Sequence, residues 1–361
     1  MDQKLLNKLQ KRIEEGTLRS LSRFEGFTDF YSNDYFGFSR IKTRSETKVY
    51  GSTGSRLISG NSHEAETCEN YIANYFGVEA ALIFNSGYDA NIGFFSSVPQ
   101  RGDTVLYDES IHASIRDGIR LSHAHSFAFK HNDVKDLKSK ICRTEGTVYI
   151  VVEGLYSMDG DLAPLKEIAE LTEEYGAYLI VDEAHSAGVF GSGGRGIADA
   201  PLIRSKVFAR LVTFGKAYGS HGAAILGQKV LVDYLVNFAR SFIYTTALPP
   251  AEYDRIMNVV GSLLIGEQQL LLQERITYFR KGLRAFSSVS DESSPIQMIR
   301  IGDIEKTKLA SQILQDFKIA VKPIFSPTVK QGHEGVRVCL HAFNTAEEID
   351  ELLQVLNNFQ K

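Results

Sequence analysis

Between about residues 62 and 225, stretches with apolar residues at helical spacing alternate with short, almost continuously apolar runs. Helical periodicity covers His63 to Phe76, closed by Gly77, and Pro164 to Tyr175, which opens on a proline and closes at Gly176; these are the residues that favour helix starts and left-handed helix ends. The runs AALIF (80–84), TVLYD (104–108), TVYIVV (147–152), YLIVD (178–182) and VFARLVTF (207–214) predict strands. Their apolar residues do not alternate with polar ones, which fits strands covered on both faces. Helices and buried strands in turn predict βαβ units, hence an α/β fold with a mainly parallel sheet.

After LPPAEYD the pattern changes to a long helical stretch, about 251–285, followed by the shorter pieces IQMIRI, IAVKPI and GVRVCL. That shift predicts an N-terminal helix and arm over 1–45, a large domain over 46–250 and a smaller C-terminal domain over 251–361. Thr345 and Glu348 form a capping-box pair, so a last helix is expected over about 346–358. At the other end, Leu5, Leu6, Leu9 and Ile13 among charges predict an amphipathic helix rather than a signal peptide.

Composition narrows the class without naming a chemistry. With 361 residues, 43% hydrophobic and 23% charged, the chain is long enough for a substantial core and ordinary for a globular protein. A formal charge of -4 gives no reason to expect nucleic acid or an acidic membrane as partner. Cys68, Cys142 and Cys339 are odd in number and far apart, which argues against a disulfide framework and a zinc site and suits a reducing cytoplasm.

The candidate chemistry clusters where strands end. Ligands of α/β sheets sit beyond the carboxyl ends of strands, and YLIVDEAHSAG puts Asp182 and His185 at such an end. LVTFGKAYG puts Lys216 after another, between Gly215 and Gly219, with Thr213 three residues before it. A lysine that forms an imine has to spend time unprotonated, which a partly desolvated cleft favours; a lone GK pair is more often a solvated loop. FNSGYDAN, with Ser86, Gly87 and Tyr88, leads from a strand into a helix start whose amides suit a phosphate. GSTGSRLISG and FGSGGRG offer similar turns. His112 follows TVLYD, and Glu153 and Ser157 follow the strand that ends near residue 152.

In their order, SGYDAN, DESIHAS, VEGLYSMDGD, VDEAHSAGVFGSGGRG and TFGKAYG resemble the α-oxoamine synthases. YSNDYFGFS, GSTGSRLISG and FIYTTALPP extend the likeness over about residues 18–260, and GVRVCLHAF and the final helix resume it. The resemblance implies fold type I of the pyridoxal 5'-phosphate (PLP) enzymes: a large domain with a mainly parallel seven-stranded sheet flanked by helices, plus a smaller α+β C-terminal domain. It implies that Lys216 carries PLP as an imine, that Asp182 pairs with the pyridine nitrogen, that His185 bonds the ring oxygen and that His112 stacks on the ring. It places Ser86, Gly87, Tyr88, Glu153, Ser157 and Thr213 around the cofactor, and Thr245 or Thr246 at the phosphate of a neighbouring subunit in a homodimer. Asn33 and Arg337 map onto the site of the amino-acid carboxylate, and Arg19 and Thr328 onto the acyl path.

The implied reaction is decarboxylative condensation of an L-amino acid with an acyl thioester. L-alanine with a pimeloyl group on coenzyme A or acyl carrier protein is the expected pair; glycine with acetyl and serine with palmitoyl are the alternatives. Phe325 and Ser326 stand where the family pattern leads one to expect arginine and proline, and the stretch before His63 is shorter than usual. A nicotinamide oxidoreductase would share the βαβ rhythm, but no GxGxxG follows the first strand. A PLP-fold binding protein without catalysis is the third alternative, disfavoured by Lys216, Asp182 and His185 together.

Overall fold

The computed structural model describes residues 2–18, 21–42, 47, 49–326 and 328–359. Twelve strands follow in chain order: β1 (Thr28–Asp29), β2 (Ala80–Phe84), β3 (Thr104–Asp108), β4 (His125–Phe129), β5 (Val148–Glu153), β6 (Tyr178–Asp182), β7 (Val207–Thr213), β8 (Ala223–Gly227), β9 (Ile296–Arg300), β10 (Ile319–Ala320), β11 (Lys322–Ile324) and β12 (Gly335–Cys339). Seven of them make the central sheet in the order β2-β8-β7-β6-β5-β3-β4. Only β8 runs against its neighbours; the pairs from β7 through to β4 are parallel. The family's mainly parallel seven-stranded sheet is therefore present.

The five expected strands form, two with shifted ends: β5 starts at Val148 and reaches Glu153, and β7 stops at Thr213. Two strands of the central sheet lay outside the sequence reading. In β4 the first three residues are exposed, as an edge strand allows, so no apolar run marks it. β8 is a five-residue segment behind a glycine-containing turn. The predicted helices hold, with Gly77 and Gly176 in the left-handed conformation at their ends and the Thr345–Glu348 capping box in place. The long helical stretch is corrected: helices Pro250–Val259 and Leu264–Gly282 are separate, and Gly261, at φ +74°, turns the chain between them.

β9, β11 and β12 form a separate antiparallel sheet. The arm through Phe30 and Tyr35 is tied to it: Phe30 N–H donates to Ala320 O, Cys339 N–H to Phe30 O and Ala342 N–H to Tyr35 O. One apolar core runs from this arm through Phe214 and Tyr218 to Leu352 and Leu356 of the last helix. The arm and the C-terminal strands are thus held against the central sheet's edge where β5, β6 and β7 end.

Candidate active site

Parallel register sets the first two groups. Glu153 and Asp182, the last residues of β5 and β6, are cross-strand partners. Both are almost fully buried. Beyond β7 the chain turns back into β8, with Phe214 N–H donating to Gly222 O and Gly219 N–H to Lys216 O; this turn carries Lys216. Gly219 is required there, because it has φ +56° and a Cβ would come within 2.1 Å of Ser39 N. The turn therefore packs directly on the N-terminal arm.

A cavity of about 240 Å³ opens at these strand ends. Ser86, Gly87, Tyr88, His112, Glu153, Ser157, Asp182, His185, Thr213 and Lys216 all line it, joined by Asn91, Ser114, Ala184, Leu211, Gly215, His221 and Gly222. Ten of the expected site residues thus surround one space. Two others, Asn33 and Arg337, meet each other: Arg337 Nη2 donates to Asn33 Oδ1 at 3.0 Å and Arg337 Nε to Ser157 O at 2.7 Å. Thr245 and Thr246 sit outside the lining, where Asn85 Nδ2 donates to Thr245 Oγ1 (3.3 Å) and Thr246 O (2.7 Å). Thr328 is exposed on the turn after β11 and away from the lining. Arg19 lies outside the described residues.

Electrostatics push several groups toward neutrality. Burial lowers the Lys216 ammonium from its ordinary range, although Asp182 and Glu153 pull it up. Burial raises Glu153, and the neighbouring charge of Asp182 adds to the rise. His185 is held far below its usual value by burial and then by the charges of Lys216 and Arg337. Its Nδ1 lies 2.7 Å from the hydroxyl of Tyr35, itself buried. His112 is also lowered, first by desolvation and then by Lys216, yet its ring remains exposed on the cavity side.

The residues overlooked in the sequence support the recognised ones. Asn91 Nδ2 donates to Asp182 Oδ2 at 3.0 Å, and Ala184 N–H to Asp182 Oδ1 at 2.9 Å. Asn91 also reaches Ser114 Oγ at 3.0 Å, and Ser114 Oγ lies 2.7 Å from His112 Nδ1. A buried amide in the apolar helix Gly87–Ser97 was the available signal for Asn91. Tyr35 gave none.

The donor set suits a flat anionic compound. Ser86 caps the helix Gly87–Ser97 by accepting from Asp89 N–H, which leaves the amides of the first turn for an anion. A Cβ on Gly87 would come 2.8 Å from Thr213 Cγ2, so the absent side chain keeps that wall open. Glu153 Oε1 is buried and, among the described residues, has no hydrogen-bond partner, so a donor on a bound compound would satisfy it.

Comparison with known proteins gives the family. The aminotransferase class I and II family description matches residues 25–356. The 8-amino-7-oxononanoate synthase of Emericella nidulans is 39% identical, with 91% of this chain and 88% of that protein covered. 8-Amino-7-oxononanoate synthase 2 of Bacillus subtilis is 34% identical over 100% of this chain and 98% of its own. Among solved structures, Sphingomonas wittichii serine palmitoyltransferase superposes with a TM-score of 0.89 at 25% identity, covering 98% of this chain and 96% of its own. The 8-amino-7-oxononanoate synthase of Francisella tularensis gives 0.78 at 29%, covering 92% and 97%. With these strand-end residues around one cavity and these relatives along nearly its whole length, the chain belongs to the aminotransferase class I and II family and, within it, to the α-oxoamine synthases, most like the 8-amino-7-oxononanoate synthases.

Proposed function

We propose that this protein is a PLP-dependent acyltransferase that condenses L-alanine with a pimeloyl thioester, releasing CO2 and the free thiol and forming 8-amino-7-oxononanoate in biotin biosynthesis. The observation that carries the reading is the meeting of Lys216, Asp182, His112 and His185 around one cavity, with the Asn33–Arg337 pair beside it. When bound, PLP supplies an electron sink for the α-carbon of an amino acid.

The chain's own groups divide the remaining work. Lys216 Nζ, brought toward neutrality by burial, would hold the cofactor covalently and would serve as the base for the substrate's α-proton. Asp182, held by Asn91 and the Ala184 amide, keeps a proton on the pyridine nitrogen. His185, steadied by Tyr35, bonds the ring oxygen. The first-turn amides at Gly87 and Tyr88, with Ser86 and Thr213, take the phosphate, and Glu153 and Ser157 close the opposite side. His112 supplies a flat face for the ring and a donor for the acyl carbonyl as charge grows there. Arg337, directed by Asn33 and Ser157 O, meets the amino-acid carboxylate, for which a planar fork is suited.

Arg19 and Thr328 are assigned to the acyl path. Tyr50, Ile58 and Tyr244 are strongly exposed. The chain near them is joined where Ala247 N–H donates to Gly54 O, beside Thr245 and Thr246. An apolar rim at the phosphate end supports a homodimer in which those threonines reach the neighbouring subunit's cofactor. No described helix is long and apolar enough to cross a membrane, and we place the enzyme in the cytoplasm.

The test is turnover by the PLP-loaded protein with alanine, glycine and serine against acetyl, pimeloyl and palmitoyl thioesters, the acyl group offered on coenzyme A and on acyl carrier protein. CO2 release is expected to be fastest with alanine and pimeloyl. Preference for serine with palmitoyl would transfer the reading to the serine palmitoyltransferases, which the fold likeness also supports.

A further inference from the structure

Asp182, His112, Asn91 and Ser114 form a chain of hydrogen bonds whose direction is dictated from one end. The Asp182 carboxylate can only accept, so the Asn91 atom 3.0 Å from Oδ2 is the amide nitrogen, which removes the usual ambiguity of an asparagine's orientation. The same nitrogen lies 3.0 Å from Ser114 Oγ, which therefore accepts its second hydrogen. Ser114 is fully buried. Among the described residues, the remaining group within reach of its hydroxyl hydrogen is His112 Nδ1, at 2.7 Å. The Ser114 amide approaches the same nitrogen at 3.3 Å, again as a donor.

We infer that Asn91 and Ser114 are positioning residues that hold His112 in one neutral tautomer, with Nδ1 as acceptor and the proton on Nε2, available to whatever fills the cavity. A proton on Nδ1 would leave the buried Ser114 hydroxyl hydrogen without an acceptor, which is unfavourable. The two helices that carry the chain are pressed together: a Cβ on Gly118 would lie 2.8 Å from Asn91 O and 2.9 Å from Phe95 Cβ. Asn91 is thus fixed in place by packing. Of the charged groups around His112, Lys216 opposes its protonation while Asp182 and Asp117 favour it; the hydrogen-bond chain adds to the first.

The inference rests on the proposed function only for what Nε2–H meets, because the tautomer belongs to the chain without cofactor. Long-range 1H–15N spectra of imidazole nitrogens in the PLP-free protein, with His112 assigned by His112→Asn, test it. The expected wild-type spectrum has Nδ1 unprotonated and Nε2 protonated near neutral pH. In Asn91→Ala and in Ser114→Ala the Nδ1-protonated form is expected to appear, and the His112 midpoint to rise by about one pH unit. A wild-type His112 protonated on Nδ1, or a folded Ser114→Ala protein with an unchanged tautomer and midpoint, overturns the inference. Should Asn91→Ala not fold, the wild-type and Ser114→Ala spectra decide. Loss of the decarboxylative activity reading would leave these spectra as they are, so the two failures are distinguishable.

Discussion

Two polar clusters, one partly and one almost fully buried, lie at strand ends of the same sheet edge and treat charge in opposite ways. In one, His131 bridges Asp108 Oδ1 at 2.8 Å and Asp161 Oδ2 at 2.7 Å, while Asn132 N–H donates to Asp108 Oδ2. Despite the burial penalty, these two carboxylates raise the imidazole to about 10. In the other, Glu153 and Asp182 stand side by side with Lys216 sharing the cavity, and Glu153 and Lys216 are driven toward their neutral forms. The first cluster places one imidazolium between two carboxylates and serves stability. The second keeps like charges adjacent, which costs stability and leaves groups ready to exchange protons.

The contrast predicts that removing a cavity group harms turnover while removing a paired group harms folding. Lys216→Ala should reduce turnover by 10⁴ or more, at least about 5.5 kcal/mol of barrier, without lowering the melting temperature. Borohydride should then no longer fix PLP to the protein; a reducible adduct that persists would assign the chemistry to another lysine. Glu183→Ala, in the residue next to Asp182, removes the carboxylate that holds the buried Arg210 most closely and leaves it the Arg195 carbonyl and, at 3.9 Å, Asp199. Urea unfolding should show a loss of about 3–5 kcal/mol, and a loss under 1 would put Glu183 in the wrong class.

A smaller effect separates the clusters by pH. Because His131 is raised from 6.5 to about 10 on folding, its contribution is whole below pH 6.5 and is lost as pH climbs toward 10. His131→Asn should cost roughly 2–4 kcal/mol at pH 6 and much less at pH 10; a penalty independent of pH would deny the imidazolium. The smallest effect belongs to Glu153→Gln. Since Glu153 is raised from 4.5 to about 8 on folding, its contribution is whole below pH 4.5 and declines as pH climbs toward 8; an uncharged isostere should change stability by less than about 1 kcal/mol at pH 4 and should remove that decline. A loss of several kcal/mol would show that Glu153 is charged and paired.

Where chemistry depends on a strand's last residues, it was legible. Asp182, His185, Lys216, His112 and the phosphate turn follow apolar runs that could be read directly, and the ordered motifs joined them into one cofactor site. Strands β4 and β8 were not legible, because an edge strand needs no apolar outer face and a five-residue segment behind a turn has no period to count. The break at Gly261 was hidden inside a pattern that continues on both sides of it.

Local periodicity and turn chemistry determined the helices, the buried parallel strands and the groups placed at their carboxyl ends, because those features act between residues close in sequence. Only the tertiary structure decided what crosses long separations. Arg337 meets Asn33 across 304 positions, Tyr35 meets His185 across 150, and Asn91 meets Asp182 across 91. Such contacts depend on how the arm, the helices and the C-terminal sheet pack on the central one, and that packing is collective: no single segment encodes it.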